Sequence, residues 1–427
     1  MTETTPTSRI PGFHGMSIQD RLAKVAELTG LDEAGVAHLS NTGNLDAVTA
    51  DRMIENVIGT MNIPVGVATN LIIDGREGLV PMATEESSVI AAVCNAAKQC
   101  RPAGGIATST SGPLMIAQIQ LVGVSDPENA RFKILEHRDE IKAICDETDP
   151  VLLKFGGGYR DMEVRIIDSD DGPMVITHLI VDTRDAMGAN AVNSMAEAVG
   201  PRIAEWTRGR VFLRILSNLA DRRLARARGV WRVEDIGGEA VRDGMLSAFR
   251  FADADPYRAA THNKGIMNGV TAVVMATGND TRAIESGAHA YAARTGRYRS
   301  MTCWERDADG NLVGLLEIPM AVGLIGGATK MHPTAQTALR ILGVETADEL
   351  ARIIVAVGLA QNFAALKVLA TTGVQKGHMS LHAKNIAAMA GAQGDEVDTI
   401  ADKLKAMGKV RVDIAEQLLA ELRGGKG

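Results

Sequence analysis

His378 and His382 lie four residues apart, a spacing that places two histidine side chains on one face of a helix and could begin a metal site. A zinc site needs further ligands at a characteristic spacing, and neither an HExxH motif nor a nearby third ligand accompanies this pair. The four cysteines form no CxxC pair and no zinc spacing. We therefore predict that the chain has no metal site and that its cysteines are reduced thiols.

Three common catalytic motifs are absent from the sequence. It contains no GxGxxG after a strand, no GxxxxGK[ST] and no GxSxG. Their absence argues against an ordinary Rossmann dinucleotide site, a P-loop nucleotide site and a nucleophile-elbow hydrolase.

Three unusual segments follow one another in an order that points to a family. They are Asp185–Asn190 (DAMGAN), Val322–Thr329 (VGLIGGAT) and Lys376–Met379 (KGHM). Together they closely resemble the signatures of 3-hydroxy-3-methylglutaryl-coenzyme A (HMG-CoA) reductase. Glu55–Gly59 (ENVIG) and Thr261–Gly265 (THNKG) add to the match, and THNKG resembles the bacterial class II form.

The resemblance spans residues 15 to 425, nearly the whole chain, and implies the reaction of that family. This reaction is the four-electron interconversion of HMG-CoA and mevalonate plus CoA, using two nicotinamide cofactors. We expect NAD(H) as the cofactor and operation in the oxidative, mevalonate-degrading direction. The alternatives are the same enzyme using NADP(H) in mevalonate biosynthesis, a CoA thioester hydrolase on the same scaffold, or a non-catalytic CoA-binding protein.

The resemblance implies four catalytic residues. Lys264, in the THNKG segment, matches the lysine whose cation stabilises the negative charge that each hydride step builds on oxygen. Glu86 matches a glutamate that exchanges protons with that oxygen, and Asp280 matches an aspartate that could bridge and couple the two. His378 matches the acid that protonates the departing CoA thiolate, a role that suits an imidazole titrating near neutral pH.

Each of these four residues also has a structural interpretation. Most lysines are solvated, and an imine-forming Lys264 is a further functional alternative. Glu85 and Glu86 both suit the first turn of a helix, where acids interact favourably with the helix dipole. Asp280 follows Gly-Asn and suits a turn, and His378 could lie on the surface of a helix.

The resemblance further implies four contacts to the substrate. Arg258 matches a residue that holds the carboxylate of the HMG group, which suits a bidentate guanidinium. Neighbouring polar contacts are implied for Ser88, Asn218 and Asn268.

The DAMGAN segment is the implied cofactor site, and we expect it to begin a helix. Free N–H groups at the helix start would favour a pyrophosphate, and Gly188 would permit its close approach. The cofactor-binding residues predicted in this segment are Asp185, Met187, Gly188 and Asn190. Asp185 could instead cap the helix. Asp149 matches an aspartate that accepts the ribose hydroxyls of NAD and repels the extra phosphate of NADP, with Thr148 as the alternative at that position.

The resemblance implies an α/β (α+β) fold in three parts. A large mixed domain surrounds a buried central helix and binds HMG-CoA (residues 1–112 and 217–374). A small, ferredoxin-like, non-Rossmann domain for NAD(H) is inserted into it (113–216), and three helices form a C-terminal flap (375–427). The family also implies a homodimer, with Glu55–Gly59 near the contact, and further assembly to a hexamer.

Local signals predict elements near the N-terminus. Ser17 with Asp20 predicts the start of an amphipathic helix that ends at Gly30. Asp74-Gly75 joins two β-rich runs and therefore predicts a hairpin.

Further signals lie later in the chain. Thr84 and the two acids after it predict the cap and first turn of an Ala-rich helix that is apolar on most faces and so buried in the middle of a domain. Gly104–Gly112 predicts a linker, and Asn129–Cys145 predicts one helix. Thr346 with Glu349 is a capping box that predicts a long helix to about residue 371.

The composition is that of a globular protein without a strong charge. Of its 427 residues, 45 are Lys or Arg and 52 are Asp or Glu, which gives a net charge of −7. This balance, with aromatics at 3%, argues against nucleic acid and anionic membranes as partners. The N-terminus lacks the layout of a signal peptide, so we expect a soluble, cytoplasmic protein.

Overall fold

The structure is a computed structural model that describes residues 7–41, 43, 45–371 and 383–424. The KGHM segment, with His378, and also His382 lie outside the described residues. The predictions made for them are therefore not addressed by the structure.

A β-hairpin forms one edge of the larger sheet. Strand β1 (Val65–Ile73) and strand β2 (Arg76–Ala83) pair in antiparallel register, with Ile73 opposite Arg76. The turn residues Asp74 and Gly75 have φ values of 50° and 78°, as a two-residue turn with two positive φ angles requires. The predicted hairpin is confirmed.

The larger sheet has six strands in the order β2-β1-β3-β8-β10-β9. Its other strands are β3 (Ile106–Thr110), β8 (Leu224–Trp231), β9 (Thr302–Arg306) and β10 (Leu312–Pro319). The prediction of a linker at Gly104–Gly112 is wrong, because β3 occupies the centre of this segment. The hydrogen bonds of β3 come from its long-range pairing with β8, and the small side chains of this segment do not predict that pairing.

One long helix lies at the centre of the large domain. The helix Ala347–Ala370 begins at the predicted capping box, where Thr346 accepts from the Glu349 N–H. By length and composition this helix could cross a membrane, but 67% of its most apolar window is buried inside the protein. It packs against other helices and against strands β3, β8 and β10. It is therefore a core helix of the domain.

The Ala-rich helix predicted to be buried in the middle of a domain differs from that prediction. It spans Val89–Cys100 and buries only one face, through Val89, Val93, Ala96, Ala97 and Cys100. Its N-cap is Ser88, and the Thr84 hydroxyl instead accepts from the Glu86 N–H. Glu86 therefore lies in a turn before the helix and not in its first turn.

Three aromatic side chains form the centre of this core. Phe363 of the long helix stacks on Trp231 of β8, with ring centroids 4.4 Å apart and planes 9° apart. Trp304 of β9 lies against both rings. The indole N–H of Trp231 donates to the carbonyl of Ala96 at 3.0 Å, so its polar atom is satisfied inside the core.

The second sheet has four strands in the order β5-β6-β4-β7, all antiparallel. Its strands are β4 (Leu114–Val122), β5 (Gly158–Ile167), β6 (Met174–Asp182) and β7 (Arg210–Leu216). With helices after β4 and after β6, the chain follows a β-α-β-β-α-β order, which is that of a ferredoxin-like unit. The predicted mixed fold with a non-Rossmann insertion is confirmed, whereas the domain boundaries stay a prediction.

Helices cover one face of this sheet. The single helix predicted at Asn129–Cys145 is two, because the chain breaks at His137, whose ring stacks on Trp206 at 4.0 Å. The helices of this unit are α5 (Pro127–Glu136), α6 (Arg138–Thr148), α7 (Pro150–Lys154) and α8 (Ala189–Thr207).

The remaining helices lie before β1, between β2 and β3, and after β8 in the chain. The first, α1, runs from its Ser17 cap to Gly30 as predicted. The helices in the first part of the chain are α1 (Ile18–Thr29), α2 (Glu33–Ser40), α3 (Ala47–Met53) and α4 (Val89–Cys100). Those after β8 are α9 (Val233–Ile236), α10 (Glu239–Ala254), α11 (Pro256–Ala276), α12 (Thr281–Ala292), α13 (Gly327–Met331), α14 (Pro333–Leu342) and α15 (Ala347–Ala370).

The C-terminal helices have an apolar core of their own. Helical residues 383–389 pack with α16 (Asp395–Met407) and α17 (Val412–Gly424). The larger side chains buried among them are Ile386, Ile400, Leu404 and Leu419. This arrangement agrees with three helices at the C-terminus, and their role as a flap stays a prediction.

A partly buried ion pair fastens the N-terminal segment to the hairpin. Glu77 of β2 accepts from the Ser8 N–H at 2.7 Å, from the Ser8 hydroxyl, and from Arg101. Burial alone would raise the pKa of Glu77, but hydrogen bonds from Arg101 and Ser8 lower it to about 2. The ionised carboxylate therefore stabilises the folded state.

Replacing Glu77 with glutamine is expected to lower the free energy of unfolding at neutral pH by about 2–3 kcal/mol. A carboxyl whose pKa is lowered by folding contributes stability above its unfolded pKa, and this contribution is lost as pH falls towards the folded value of about 2. Denaturant unfolding from pH 7 to pH 3 measures both effects. Glu128→Gln, at an exposed ion pair with Arg131, is the matched control and is expected to change little. An equal loss in both variants would contradict the prediction.

Candidate active site

The ammonium group of Lys264 and the carboxylate of Glu86 form an ion pair. Their Nζ and Oε2 atoms are 2.8 Å apart, although 178 residues separate them in the chain. Lys264 lies on α11, and Glu86 lies in the turn between β2 and α4. The two side chains are 61% and 37% exposed. A cation and a carboxylate thus meet where a substrate can reach them.

Asn268 joins this pair from the next turn of α11. Its Nδ2 donates to the same Glu86 Oε2 atom at 3.3 Å. Residues four apart lie on one helix face, so α11 presents Lys264 and Asn268 together. The structure therefore brings together two predicted catalytic residues and one predicted substrate contact.

A buried polar network fixes the opposite side of α11. His262 Nε2 lies 2.9 Å from both the Ser300 and the Thr302 hydroxyl, and Asn362 Nδ2 donates to it at 3.2 Å. Burial lowers the pKa of His262 to about 3, so the ring is neutral. Asn263 accepts from the backbone N–H that precedes β9 at 2.9 Å. Because these residues hold the helix in place, they orient the face that carries Lys264.

Sequence reasoning missed this network. His262 and Asn263 lie beside Lys264 in THNKG, so the segment itself was recognised. Their partners come from β9 and from the long helix α15. No local signal in the sequence indicates that pairing.

A cavity of about 1400 Å³ opens beside Glu86. Glu85, Glu86 and Ser88 line it on one side. Apolar residues such as Met61 and Ile63 line it as well. A cavity of this size and lining can accept a large ligand with both apolar and polar parts.

The DAMGAN segment begins a helix, but one turn later than predicted. Helix α8 starts at Ala189, and its N-cap is Gly188, which has a φ of 100°. A side chain at this position would place its Cβ 2.4 Å from a methyl of Thr183, so glycine is required. Among the described residues, no side chain caps the N-terminus of α8. Its first N–H groups therefore suit a pyrophosphate, and exposed Asn190 lies beside them.

Asp185 does not cap its own helix. Its Oδ1 accepts from the N–H of Ala347 at 2.8 Å, so it satisfies the N-terminus of the core helix α15. The expectation that DAMGAN begins a helix at Asp185 is corrected, because this carboxylate caps α15 and not α8.

Comparison with known proteins decides the family. The profile of a family described as Hydroxymethylglutaryl-coenzyme A reductase matches residues 17–383. The chain belongs to the HMG-CoA reductase family. It is 56% identical over 417 residues to the 3-hydroxy-3-methylglutaryl-coenzyme A reductase of Archaeoglobus fulgidus. This match covers 98% of this chain and 95% of that protein.

Solved structures of HMG-CoA reductase have the same fold. The 3-hydroxy-3-methylglutaryl-coenzyme A reductase of Streptococcus pneumoniae is 39% identical, with a TM-score of 0.83 over 96% of this chain and 99% of that one. A structure of the class II enzyme from Streptococcus pneumoniae, described as bound to NADPH in open conformations, is also 39% identical. Its TM-score is 0.82, and the match covers 96% of this chain and 100% of that one. This reductase is therefore an NAD(P)-dependent oxidoreductase with the class II fold.

Asp280 of this reductase caps a helix. Its Oδ1 accepts from the N–H groups of Arg282 and Ala283 at 2.9 and 3.1 Å, at the start of α12. Within the described part of the chain, its hydrogen bonds and its ion pair all stay in that first turn. The structure thus does not place it on Lys264 or Glu86, and its coupling role stays a prediction.

Within the described part of the chain, the other three substrate residues predicted for this reductase form no hydrogen bond with Lys264 or Glu86. Arg258 is in the first turn of α11, where burial lowers the pKa of its guanidinium. Ser88 has a left-handed φ of 75° and its side chain caps no N–H of α4. Asn218 is exposed between β7 and β8. Among the described residues, only Asn268 of the four hydrogen-bonds to Glu86.

Asp149 of this reductase also caps a helix. Its Oδ1 accepts from the Leu152 N–H at 2.8 Å, at the start of α7. The alternative residue, Thr148, uses its hydroxyl to donate to the Ile144 carbonyl. The second carboxylate oxygen of Asp149 has no such bond within residues 7–371. The ribose contact stays a prediction.

The described residues hold no group of three or more His, Cys, Asp or Glu that could bind a metal.

Proposed function

We propose that this HMG-CoA reductase uses NAD(H) and works in the oxidative direction, converting mevalonate and CoA to HMG-CoA. The pairing of Lys264 with Glu86 supports the reaction in either direction, because it needs a cation and a proton-exchanging acid beside one oxygen. The choice of NAD(H) rests on the predicted ribose contact of Asp149. In this direction, mevalonate, CoA and two NAD⁺ give HMG-CoA, two NADH and two protons.

Lys264 would stabilise the oxyanion. Whichever way hydride moves, the reacting carbon carries an oxygen whose negative charge rises and falls during the step. An ammonium already held at 2.8 Å from a carboxylate needs little reorganisation to donate to that oxygen. An imine would require a free amine as the nucleophile, whereas hydride transfer requires only the cation.

Glu86 would exchange protons with the same oxygen. Its Oε2 accepts from both Lys264 and Asn268, which fixes the carboxyl in one orientation. The other oxygen, Oε1, is then left to face the substrate in the adjoining cavity. Asp280 would couple to this pair once the substrate site is assembled. His378 would protonate the CoA thiolate as it leaves or accept its proton as it attacks.

The nicotinamide cofactor would bind at the N-terminus of α8. When bound there it donates or accepts the hydride of each redox step. The uncapped N–H groups of this helix would hold its pyrophosphate, with Asp185, Met187 and Asn190 around it. The free oxygen of Asp149 would accept the ribose hydroxyls and repel a 2′-phosphate.

The alternative cofactor is NADP(H), in mevalonate biosynthesis. It is favoured by the similar Streptococcus pneumoniae enzyme, one structure of which is described as bound to NADPH. We further propose a homodimer, assembled to a hexamer, in the cytoplasm.

Reduction of NAD⁺ but not NADP⁺, in the presence of mevalonate and CoA, is the expected result of an absorbance assay at 340 nm. Asp149→Ala is expected to relax this preference by about tenfold, since it removes one charge repulsion. Glu147→Ala, exposed and nearby in the chain, is the control and keeps the preference.

Reduction of NADP⁺ alone would overturn the NAD(H) proposal and keep the reaction. Reduction of neither by folded protein would overturn both. A release of CoA from HMG-CoA without any cofactor would then support the hydrolase.

A further inference from the structure

Arg223, immediately before β8, has a buried guanidinium group. The residue is 5% exposed. Its Nη1 donates to the Thr183 hydroxyl and to the carbonyls of Ala186 and Met187 at 3.0, 3.0 and 3.3 Å. Its Nη2 donates to the carbonyl of Val322 at 2.6 Å. One side chain therefore binds the backbone of two separate glycine-containing segments.

We name these segments the cofactor loop (residues 183–188) and the glycine loop (residues 321–326). The two loops also touch directly, since the Leu324 N–H donates to the Asp185 carbonyl at 2.8 Å. A Cβ on Gly323 would lie 2.4 Å from the backbone nitrogen of Met187, so only glycine permits this approach. The two loops form one packed unit, and Arg223 lies behind it.

The glycine loop also reaches the turn that carries Asp280. The Gly323 N–H donates to Oδ1 of Asn279 at 2.8 Å, and Asn279 precedes Asp280. The Thr329 hydroxyl donates to the Gly278 carbonyl of the same turn at 3.2 Å. Hydrogen bonds therefore connect the cofactor loop, through the glycine loop, to Asn279, which precedes Asp280 in the chain.

Only arginine can make these bonds from this position. Its planar guanidinium directs separate donors to two loops, whereas a lysine ammonium is a single point. Its acceptors within the described chain are all neutral, and the carboxylates of Asp185 and Asp182 offset its charge from further away. A buried cation with neutral acceptors costs stability, so simple packing would be served better by an apolar side chain.

We propose that Arg223 is a positioning residue that holds the cofactor loop and the glycine loop together, and so sets the N-terminus of α8 relative to Asp280. This inference rests on the proposed cofactor site at α8. It assigns no contact between Arg223 and the cofactor or the substrate. Its effect is transmitted through the backbone carbonyls of Ala186, Met187 and Val322.

Arg223→Lys is expected to raise KM for NAD⁺ by about tenfold or more and to lower kcat, because the charge remains but the fork of donors is lost. KM for mevalonate is expected to stay unchanged. Arg222→Lys is the matched control, since the neighbouring side chain is exposed and pairs with Glu163. Hydrogen exchange of the amides of residues 186–192, with and without saturating NAD⁺, gives a second readout that does not depend on turnover.

In the wild type, NAD⁺ is expected to protect these amides, and Arg223→Lys is expected to lose that protection. If Arg223→Lys yields less folded protein with unchanged KM and unchanged protection, the role is only structural and the inference is overturned. If NAD⁺ protects no amide there in the wild type, the cofactor site fails and the inference with it. Should Arg223→Lys not fold, Thr183→Val removes the hydroxyl that accepts from Arg223 and that donates to the Pro113 and Ala186 carbonyls, and it is expected to shift KM for NAD⁺ in the same direction. An unchanged KM in that variant would also overturn the inference.

Discussion

Replacing Lys264 with alanine is expected to lower kcat by about a thousandfold or more. The change removes the ammonium that lies 2.8 Å from Glu86 and with it the charge that would stabilise the reacting oxygen. Lys264 is 61% exposed, so the loss of its ion pair is expected to cost no more than about 1 kcal/mol of folding free energy. Turnover with mevalonate, CoA and NAD⁺ measures the first effect, and denaturant unfolding measures the second.

Lys24→Ala is the matched control for this variant. Lys24 pairs with Glu27 at 2.9 Å on the exposed face of α1. Its loss is expected to leave kcat unchanged. If folded Lys264→Ala enzyme retained turnover within about tenfold of the wild type, Lys264 would not stabilise the oxyanion.

Replacing Phe363 with alanine is expected to lower the free energy of unfolding by about 3–5 kcal/mol. The ring is fully buried and stacks on Trp231 at 4.4 Å, and Trp304 lies beside both of these rings. The two tryptophans cannot both move into the space left, because hydrogen bonds to Ala96 and Asn362 hold their indole nitrogens. Denaturant unfolding followed by tryptophan fluorescence reports directly on this cluster.

Phe251→Ala, at an exposed ring on α10, is the control and is expected to change stability by less than about 0.5 kcal/mol. A loss below about 1 kcal/mol in Phe363→Ala would mean that the core closes around the deletion.

Phe363→Ala also tests the link between this cluster and Lys264, because Asn362 donates to His262 on the buried side of α11. A loosened aromatic cluster is therefore expected to lower kcat in the protein that stays folded.

Three elements with a local signal were predicted well. The Ser17 cap, the Asp74-Gly75 turn and the Thr346 capping box each lie within four residues of the backbone groups they satisfy. Such contacts form from neighbours in sequence, so sequence alone is enough to find them.

Elements that depend on distant partners were predicted poorly. Strand β3 lies in a glycine-rich and threonine-rich segment, and only its pairing with β8 makes it a strand. Asp185 appeared to cap the helix next to it, yet its partner is Ala347, 162 residues away. The sequence close to β3 or to Asp185 does not indicate these distant partners.

The candidate active site was predicted through resemblance and not through local chemistry. Glu86 reads as an ordinary first-turn acid and Lys264 as a solvated lysine until the fold brings them together. The family signatures supplied what spacing could not. Arg223 escaped both kinds of reasoning, because a single buried arginine has no signature and its acceptors are backbone carbonyls.

The insertion of the four-stranded unit has a consequence for synthesis on the ribosome. Strands β3 and β8 lie side by side, with Thr110 opposite Ala225, yet more than a hundred residues separate them. At about 5–20 residues per second, β3 waits on the order of ten seconds with one edge unpaired. All four strands of the inserted unit pair among residues 114–216, so the unit can complete in that interval. Its completion brings the emerging β8 back to β3, which shortens the loop that the large sheet must close.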